Sequence, residues 1–259
     1  MWLSTNFNSP NESAEPMTDQ EYSEQALREL KFWREKMQQK AGFTDRMSSA
    51  AQQRLNGLIP EKVHLVITRS MKIMVSSILK GAEWTSAKPV TQGDLRYREA
   101  LVRDKISFYT GASTTEGALT GAGGLLWGMA DFPIWLSLKM KMLSEIAAIY
   151  GCDLTRKSER LYLLYIFQAC FSSQQKRPEV FHNLDNWTTS KDVSSYDFDW
   201  RTFQQEYRDK IDLAKLVQLI PGIGALAGAW VNRKWTRKLG ETAMNAYRLR
   251  WFESELRLG

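Results

Sequence analysis

The chain has 259 residues, of which 43% are hydrophobic and 25% charged, and a net charge of +6 at pH 7. This composition is typical of a globular protein and excludes a chain disordered throughout, a collagen and a disulfide-stapled miniprotein. The two cysteines, Cys152 and Cys170, cannot form a disulfide framework and are typical of a reducing compartment.

The beginning of the chain is predicted to be a disordered tail covering residues 1–17. It is rich in Ser, Asn and Pro, a composition that buries too little apolar surface to fold. The first 24 residues hold five acidic side chains and no Lys or Arg, so the net charge of +6 leaves +11 on the rest of the chain. The tail has neither the basic nor the apolar segment of a secretory signal, so we expect a cytoplasmic protein.

Helical signals follow from residue 18 onward. Thr18 and Glu21 form the pattern of a capping box at the start of a first helix, which ends by Gly42. Apolar residues then recur at spacings of three and four, which indicates amphipathic helices. We predict further helices over about residues 45–55, 60–81, 94–110, 131–151, 161–171, 178–187, 199–219 and 222–258.

The predicted fold is all-α, because no strand-like alternation or hairpin turn is present. We predict a single domain over residues 18–259, a bundle of about ten helices. The segment from 161 to 171 is apolar or aromatic on nearly all sides, which places that helix at the centre of the bundle.

Two apolar stretches are rich in glycine. Residues 117–138 contain one charged residue, and residues 216–231 contain none. A membrane-spanning helix needs about 20 uninterrupted apolar residues. The first stretch is broken at Asp131–Pro133, and the second is short and broken at Pro221–Gly222. We therefore predict two Gly-rich helical hairpins, packed inside the domain or against a membrane or membrane protein.

Recognisable chemical motifs are mostly absent. The two histidines and two cysteines have no metal-ligand spacing, so no metal site is predicted. The glycines of residues 222–228 lack the preceding strand of a dinucleotide site, so no cofactor is predicted. No zinc-finger or RNA-binding signature is present, so nucleic acid is not an expected partner.

Basic residues gather after the second hairpin. A basic helical face attracts anionic lipid, and an exposed apolar patch beside it marks a partner surface. A purely solvated helix face is the alternative. We predict that a membrane surface or a membrane-protein partner is contacted by Leu125, Leu126, Trp127, Trp230, Arg233, Lys234, Arg237 and Lys238.

Two other hypotheses stay open. Glu116, Asp131 and Arg160 are charged residues on or near the central hairpin, and could line the site of a hydrolase. Helix capping and ion pairing are the structural explanations of the same charges. The third hypothesis is a pocket for a lipid-like ligand, with the aromatic core as its alternative. Its lining would be Trp127, Phe132, Trp135 and Trp230.

The chain resembles the EcsC protein family over about residues 20–259. The matching segments are residues 54–64, 116–124, 131–133, 145–151, 159–162, 199–212, 219–225 and 239–247. The resemblance implies a bacterial accessory of an ABC transporter, in the cytoplasm or peripheral to the inner face of the cell membrane. A hydrolase label is sometimes attached to the family, but the resemblance assigns no catalytic residue.

Overall fold

The computed structural model describes residues 17–40, 61–81, 88–122, 132–187 and 224–253. Within these ranges it contains seven helices and no strand, which confirms the all-α prediction. The predicted helices at 45–55 and 199–219, and all but the last residue of the predicted tail, lie outside the described residues. The helices are α1 (Asp19–Gln38), α2 (Glu61–Lys80), α3 (Leu95–Ala122), α4 (Phe132–Ile149), α5 (Lys157–Phe171), α6 (Arg177–Asp185) and α7 (Gly224–Trp251).

The start of α1 confirms the predicted capping box. The Glu21 amide donates to the Thr18 hydroxyl at 3.3 Å, and the Thr18 amide donates back to the Glu21 carboxylate at 2.8 Å. These bonds satisfy amide groups that have no partner inside the first helical turn. The capping box therefore defines the residue at which the first helix begins.

Helix α3 continues through Gly111, Gly117 and Gly121 to Ala122, so these three glycines do not interrupt it. The next helix begins at Phe132 with Pro133 in its first turn, where proline is tolerated. The turn of the first predicted hairpin and the break of the second lie outside the described residues. No helix in the described ranges is long and apolar enough to cross a membrane.

The centre of the bundle is α5, in which every residue from Ser158 to Phe171 is buried. It packs against α2, α4, α6 and α7. The sequence prediction of a central helix at residues 161–171 is therefore confirmed. A helix surrounded on all sides can bury its whole surface, which is why its sequence shows no polar face.

Three helices that pack against the long helix α7 run either parallel or antiparallel to it. It is antiparallel to α3, because Glu99 contacts Arg248 while Ile106 contacts the Gly240 position. It is parallel to α4, where Trp135 bonds to Asn232 and Tyr150 stacks on Tyr247. It is antiparallel to α5, where Cys170 lies beside Lys238 and Tyr162 beside Ala246. We call the two ends of the bundle the Trp230 end and the Arg250 end.

Helices α3 and α7 approach each other closely at Gly240. A Cβ atom at this position would lie 2.5 Å from Cγ1 and 2.8 Å from Cδ1 of Ile106. Such distances are far inside van der Waals contact, so a larger residue would require the Ile106 side chain or the helices to move. Glycine here therefore has a packing role, because it lets the two helices approach closely.

A buried ion pair joins the same two helices. The Arg248 guanidinium donates from Nε and Nη2 to the two carboxylate oxygens of Glu99, both at 2.6 Å. The side chains are 1% and 0% exposed. Burial alone would lower the pKa of Arg248, but its bonds to Glu99 raise the pKa above the ordinary value. The guanidinium therefore stays charged inside the bundle.

Other side chains form hydrogen bonds with this ion pair. The Tyr22 hydroxyl donates to Glu99 Oε2 at 2.6 Å, and Arg103 donates to the same oxygen at 3.2 Å. Tyr150 donates to the other oxygen at 3.2 Å. Arg248 Nη1 reaches Glu29 at 2.9 Å. Helices α1, α3 and α7 and the end of α4 thus meet at one polar centre, whose charges are all paired.

Replacing Arg248 with methionine leaves the Glu99 charge buried without its main partner. We expect Arg248→Met to lower the free energy of unfolding by about 3–5 kcal/mol, the usual effect of breaking a buried pair. Arg237→Met is the control, since the pair of Arg237 with Glu241 is exposed and contributes about 1 kcal/mol or less. Urea unfolding compares them, and equal losses in the two variants would contradict the structural role of the buried pair.

Candidate functional site

The first half of α7 presents one exposed face at the Trp230 end. Trp230, Arg233, Lys234 and Arg237 are all exposed and are spaced by three and four residues. This spacing places side chains next to one another on a helix surface. We call these four residues the basic face.

The aromatic ring of the basic face is held beside a cation. Trp230 is 62% exposed, and the Lys234 ammonium lies 5.0 Å from the centre of its ring. An ammonium over an indole is attracted by the ring's electron-rich face. An exposed tryptophan beside cations is the combination that binds at the boundary between lipid headgroups and hydrocarbon.

A second apolar side chain is exposed at the same end of the bundle. Ile134, near the start of α4, is 57% exposed. It lies near the level of Trp230 because the next residue, Trp135, donates its indole N–H to Asn232 of α7. The Lys139 ammonium donates to the same Asn232 oxygen at 3.1 Å. These bonds fix the starts of α4 and α7 relative to each other.

Other members of the predicted contact set are placed differently. Lys238 is half-buried, its ammonium donating to the Cys170 carbonyl at 2.8 Å and lying 4.7 Å from the Trp235 ring. Burial, together with neighbouring cations, lowers the pKa of Lys238. Its side chain connects α7 to α5 instead of joining the basic face. Leu125, Leu126 and Trp127 lie outside the described residues.

Two of the aromatic residues of the predicted lipid pocket belong to the core. Phe132 is 1% exposed and stacks on Trp135 with ring centres 5.6 Å apart. Trp135 also meets Phe171 edge-on. Trp230 is instead exposed on α7, and Trp127 lies outside the described residues. The core explanation accounts for Phe132 and Trp135.

The three residues of the hydrolase hypothesis are not brought together in the part of the chain that the structure describes. Arg160 is buried and donates to the carbonyls of Leu154, at 2.9 Å, and Leu79, at 3.1 Å. It lies at the Arg250 end, whereas the backbone of Glu116 lies about three turns beyond Ile106, toward the Trp230 end. Asp131 lies outside the described residues. The hydrolase hypothesis stays a prediction.

The Arg250 end holds a polar cavity of about 420 Å³ that the sequence analysis did not find. Arg250 donates to both oxygens of Glu159, at 2.6 and 2.9 Å. The guanidinium also lies 5.1 Å from the centre of the Tyr162 ring. The glutamate and the arginine are 91 positions apart in sequence, so no local motif points to this cavity. Tyr150, Cys152, Trp187 and Tyr247 also line it.

The thiol in this cavity is not activated. Cys152 is 8% exposed, and burial raises its pKa to about 12 although Arg250 lies nearby. A nucleophilic cysteine needs a lowered pKa, because the thiolate is the reactive form. The structure therefore gives no support to a cysteine nucleophile here. No group of three or more His, Cys, Asp or Glu that could hold a metal ion occurs among the described residues.

These buried groups predict a loss of stability at alkaline pH. Burial raises the pKa of Tyr150, Tyr162 and Tyr247 as well as that of Cys152. The unfolded chain releases these protons from about pH 9 upward, whereas the folded chain keeps them. The stability that these protonated groups contribute is therefore fully present below about pH 9 and is lost as the pH rises above it. For Cys152 alone the loss at pH 10.5 should be on the order of 2 kcal/mol.

Urea unfolding of the wild type and of Cys152→Ala at pH 8 and pH 10.5 measures this effect. The variant removes one of the titrating groups, so its free energy of unfolding should fall less between the two pH values. An identical fall in both proteins would show that the thiol ionises as easily in the folded chain as in the unfolded chain.

The chain is similar to known proteins over most of its length. The sequence model of the EcsC protein family matches residues 24–252. The chain is 40% identical over 225 residues to Protein EcsC of Bacillus subtilis (strain 168), covering 86% of this chain and 94% of that protein. It is 30% identical over 258 residues to the uncharacterized protein YdbA of the same organism, covering 91% and 94%. No solved structure matches the chain.

Proposed function

Because the chain belongs to the EcsC protein family, we propose that it is a helical accessory protein without catalytic activity of its own, held at the inner surface of a membrane by its basic face. The family resemblance implies that an ABC transporter is the membrane protein it accompanies. The proposal names an anionic lipid surface as the direct contact, since lipid chemistry fits the exposed residues of α7.

The pairing of Trp230 with Lys234 carries this proposal. A tryptophan that is 62% exposed loses the stabilisation it would gain from burial in the core. The Lys234 ammonium holds a charge within 5.0 Å of the ring centre. At a bilayer surface the ring can enter the headgroup boundary while the ammonium meets lipid phosphates. One pair of side chains thus supports both apolar and electrostatic binding.

The surrounding charges favour an anionic surface. Arg233 and Arg237 lie beside Lys234 on the same helix face. Each basic side chain near an anionic membrane contributes about 1 kcal/mol, and this part of the binding weakens as salt screens the charges. The chain outside its first 24 residues carries the positive excess of the molecule, so a negative surface attracts it over longer distances.

Liposome flotation of the full chain tests the proposal. Wild-type protein should float with vesicles that contain phosphatidylglycerol. With vesicles of phosphatidylcholine alone, the protein should remain at the bottom of the gradient. Trp230→Ala removes the inserting ring and should reduce the bound fraction several-fold at moderate salt. Lys234→Gln should weaken binding mainly at low salt, because it removes a charge without removing the ring.

Trp251→Ala is the matched control for the loss of a ring. Trp251 is also exposed, at 42%, and lies on the same helix about 32 Å away at the Arg250 end. This variant should float like the wild type. Equal losses in the two tryptophan variants, or wild-type protein that floats with neither vesicle, would contradict lipid binding by the basic face. The second result would leave a direct protein partner as the explanation of the exposed ring.

A further inference from the structure

A groove of about 450 Å³ lies between α3 and α7. On the α7 side its wall is formed by Arg233, Arg237 and Glu241, which continue along the basic face. On the α3 side it is formed by Arg103, Ser107 and Gly111. The groove therefore runs along the seam that Gly240 and the Glu99–Arg248 pair hold together.

The groove has an excess of positive charge. Among the described residues, three arginines line it, and Glu241 is the one acidic residue in that lining. Glu241 bonds to Arg237 at 3.0 Å. Among the described residues Arg233 makes no ion pair. Arg103 is paired with Glu99 and Arg237 with Glu241, so the uncompensated charge is that of Arg233, about +1, and it attracts an anion.

The arginine on α3 is already held in position. Arg103 bonds to the Tyr22 hydroxyl at 2.6 Å and to Glu99 at 3.2 Å. Its guanidinium also lies 5.5 Å from the centre of the Tyr22 ring, and its side chain is 48% exposed. Little conformational entropy is lost when a fixed guanidinium binds a ligand. The Ser107 hydroxyl offers a further donor in the same wall.

We propose that this groove binds the dianionic phosphate group of a phosphate monoester. A monoester carries about −1.5 to −2 charges at pH 7 and three acceptor oxygens, so it can accept hydrogen bonds from more than one guanidinium group. Guanidinium groups bind phosphate oxygens through paired hydrogen bonds, and the groove has arginines on both of its helices. The ester is carried by a lipid headgroup or by a soluble molecule. Only the lipid source rests on the proposed membrane function.

The open space beside Gly111 allows a test that keeps all three arginines. A Cβ atom at this position would have no neighbouring atom within 4 Å, so a side chain can be added here without a clash at its first carbon. Gly111→Glu puts a carboxylate where the phosphate would bind. Gly111→Gln adds a neutral side chain of the same size and is the matched control. Both replacements favour the helical state over glycine.

Isothermal titration calorimetry with glycerol 3-phosphate measures binding of the soluble ester. A titration with sodium chloride at equal ionic strength is the control for non-specific charge effects. Wild-type protein should bind the ester. The carboxylate of Gly111→Glu should weaken that binding by about tenfold or more, while Gly111→Gln stays within about threefold of wild type. Arg233→Gln removes an exposed guanidinium and should also bind about tenfold more weakly, so the test holds even if Gly111→Glu fails to fold.

Vesicles distinguish the two sources of the ester. Phosphatidic acid has a monoester headgroup and phosphatidylglycerol a diester, so the two are compared at equal surface charge. Preference of the wild type for phosphatidic acid that Gly111→Glu loses supports the lipid source. Binding of glycerol 3-phosphate without that preference supports the soluble source. Absence of both, or equal behaviour of the Glu and Gln variants, would overturn the groove as a phosphate site.

These measurements distinguish a failure of the membrane proposal from a failure of the phosphate proposal. Trp230→Ala keeps the groove intact, so it should still bind glycerol 3-phosphate whether or not the basic face meets lipid. Gly111→Glu keeps Trp230 and Lys234, so it should still float with phosphatidylglycerol vesicles if the membrane proposal holds.

Discussion

The ion pair between Glu99 and Arg248 is the interaction around which the described part of the protein is organised. Its two side chains are almost fully buried and joined by two bonds of 2.6 Å. Two charges without water are stable only when their geometry is good and the remaining polar atoms are satisfied. Tyr22, Tyr150 and Glu29 meet that condition from other helices. The pair therefore fixes how α1, α3, α4 and α7 come together.

The polar features of the surface follow from this arrangement. Because α3 and α7 are held at one end by the ion pair and approach closely at Gly240, their outer sides form one continuous wall. The basic face and the groove are both parts of that wall. The rings of Phe132 and Trp135 stack at the same end of the bundle, where Trp230 is exposed. A rigid scaffold thus presents an exposed tryptophan and several cations in a defined arrangement.

Much of the fold could be predicted from the sequence, because it depends on local patterns. The capping box at Thr18, the central helix at 161–171 and the absence of strands in the described ranges follow from spacing and residue type alone. The polar centre could not be found in this way, since Glu99 and Arg248 are 149 positions apart. Arg233, Lys234 and Arg237 were identified from local charge, but Lys238 on the same helix turns inward to the Cys170 carbonyl. That difference depends on contacts with the Cys170 carbonyl of α5 and with the Trp235 ring, which local charge does not reveal.

Lipid contact is proposed for one end of α7 only, so a measurement within a single molecule tests it most directly. Hydroxyl-radical footprinting compares the labelling of Trp230 with that of Trp251, since both side chains are exposed. On addition of vesicles containing phosphatidylglycerol, the labelling rate of Trp230 should fall several-fold while that of Trp251 stays the same. Unchanged labelling of Trp230 on protein that has bound the vesicles, or protection of Trp251 instead, would contradict membrane contact through the basic face.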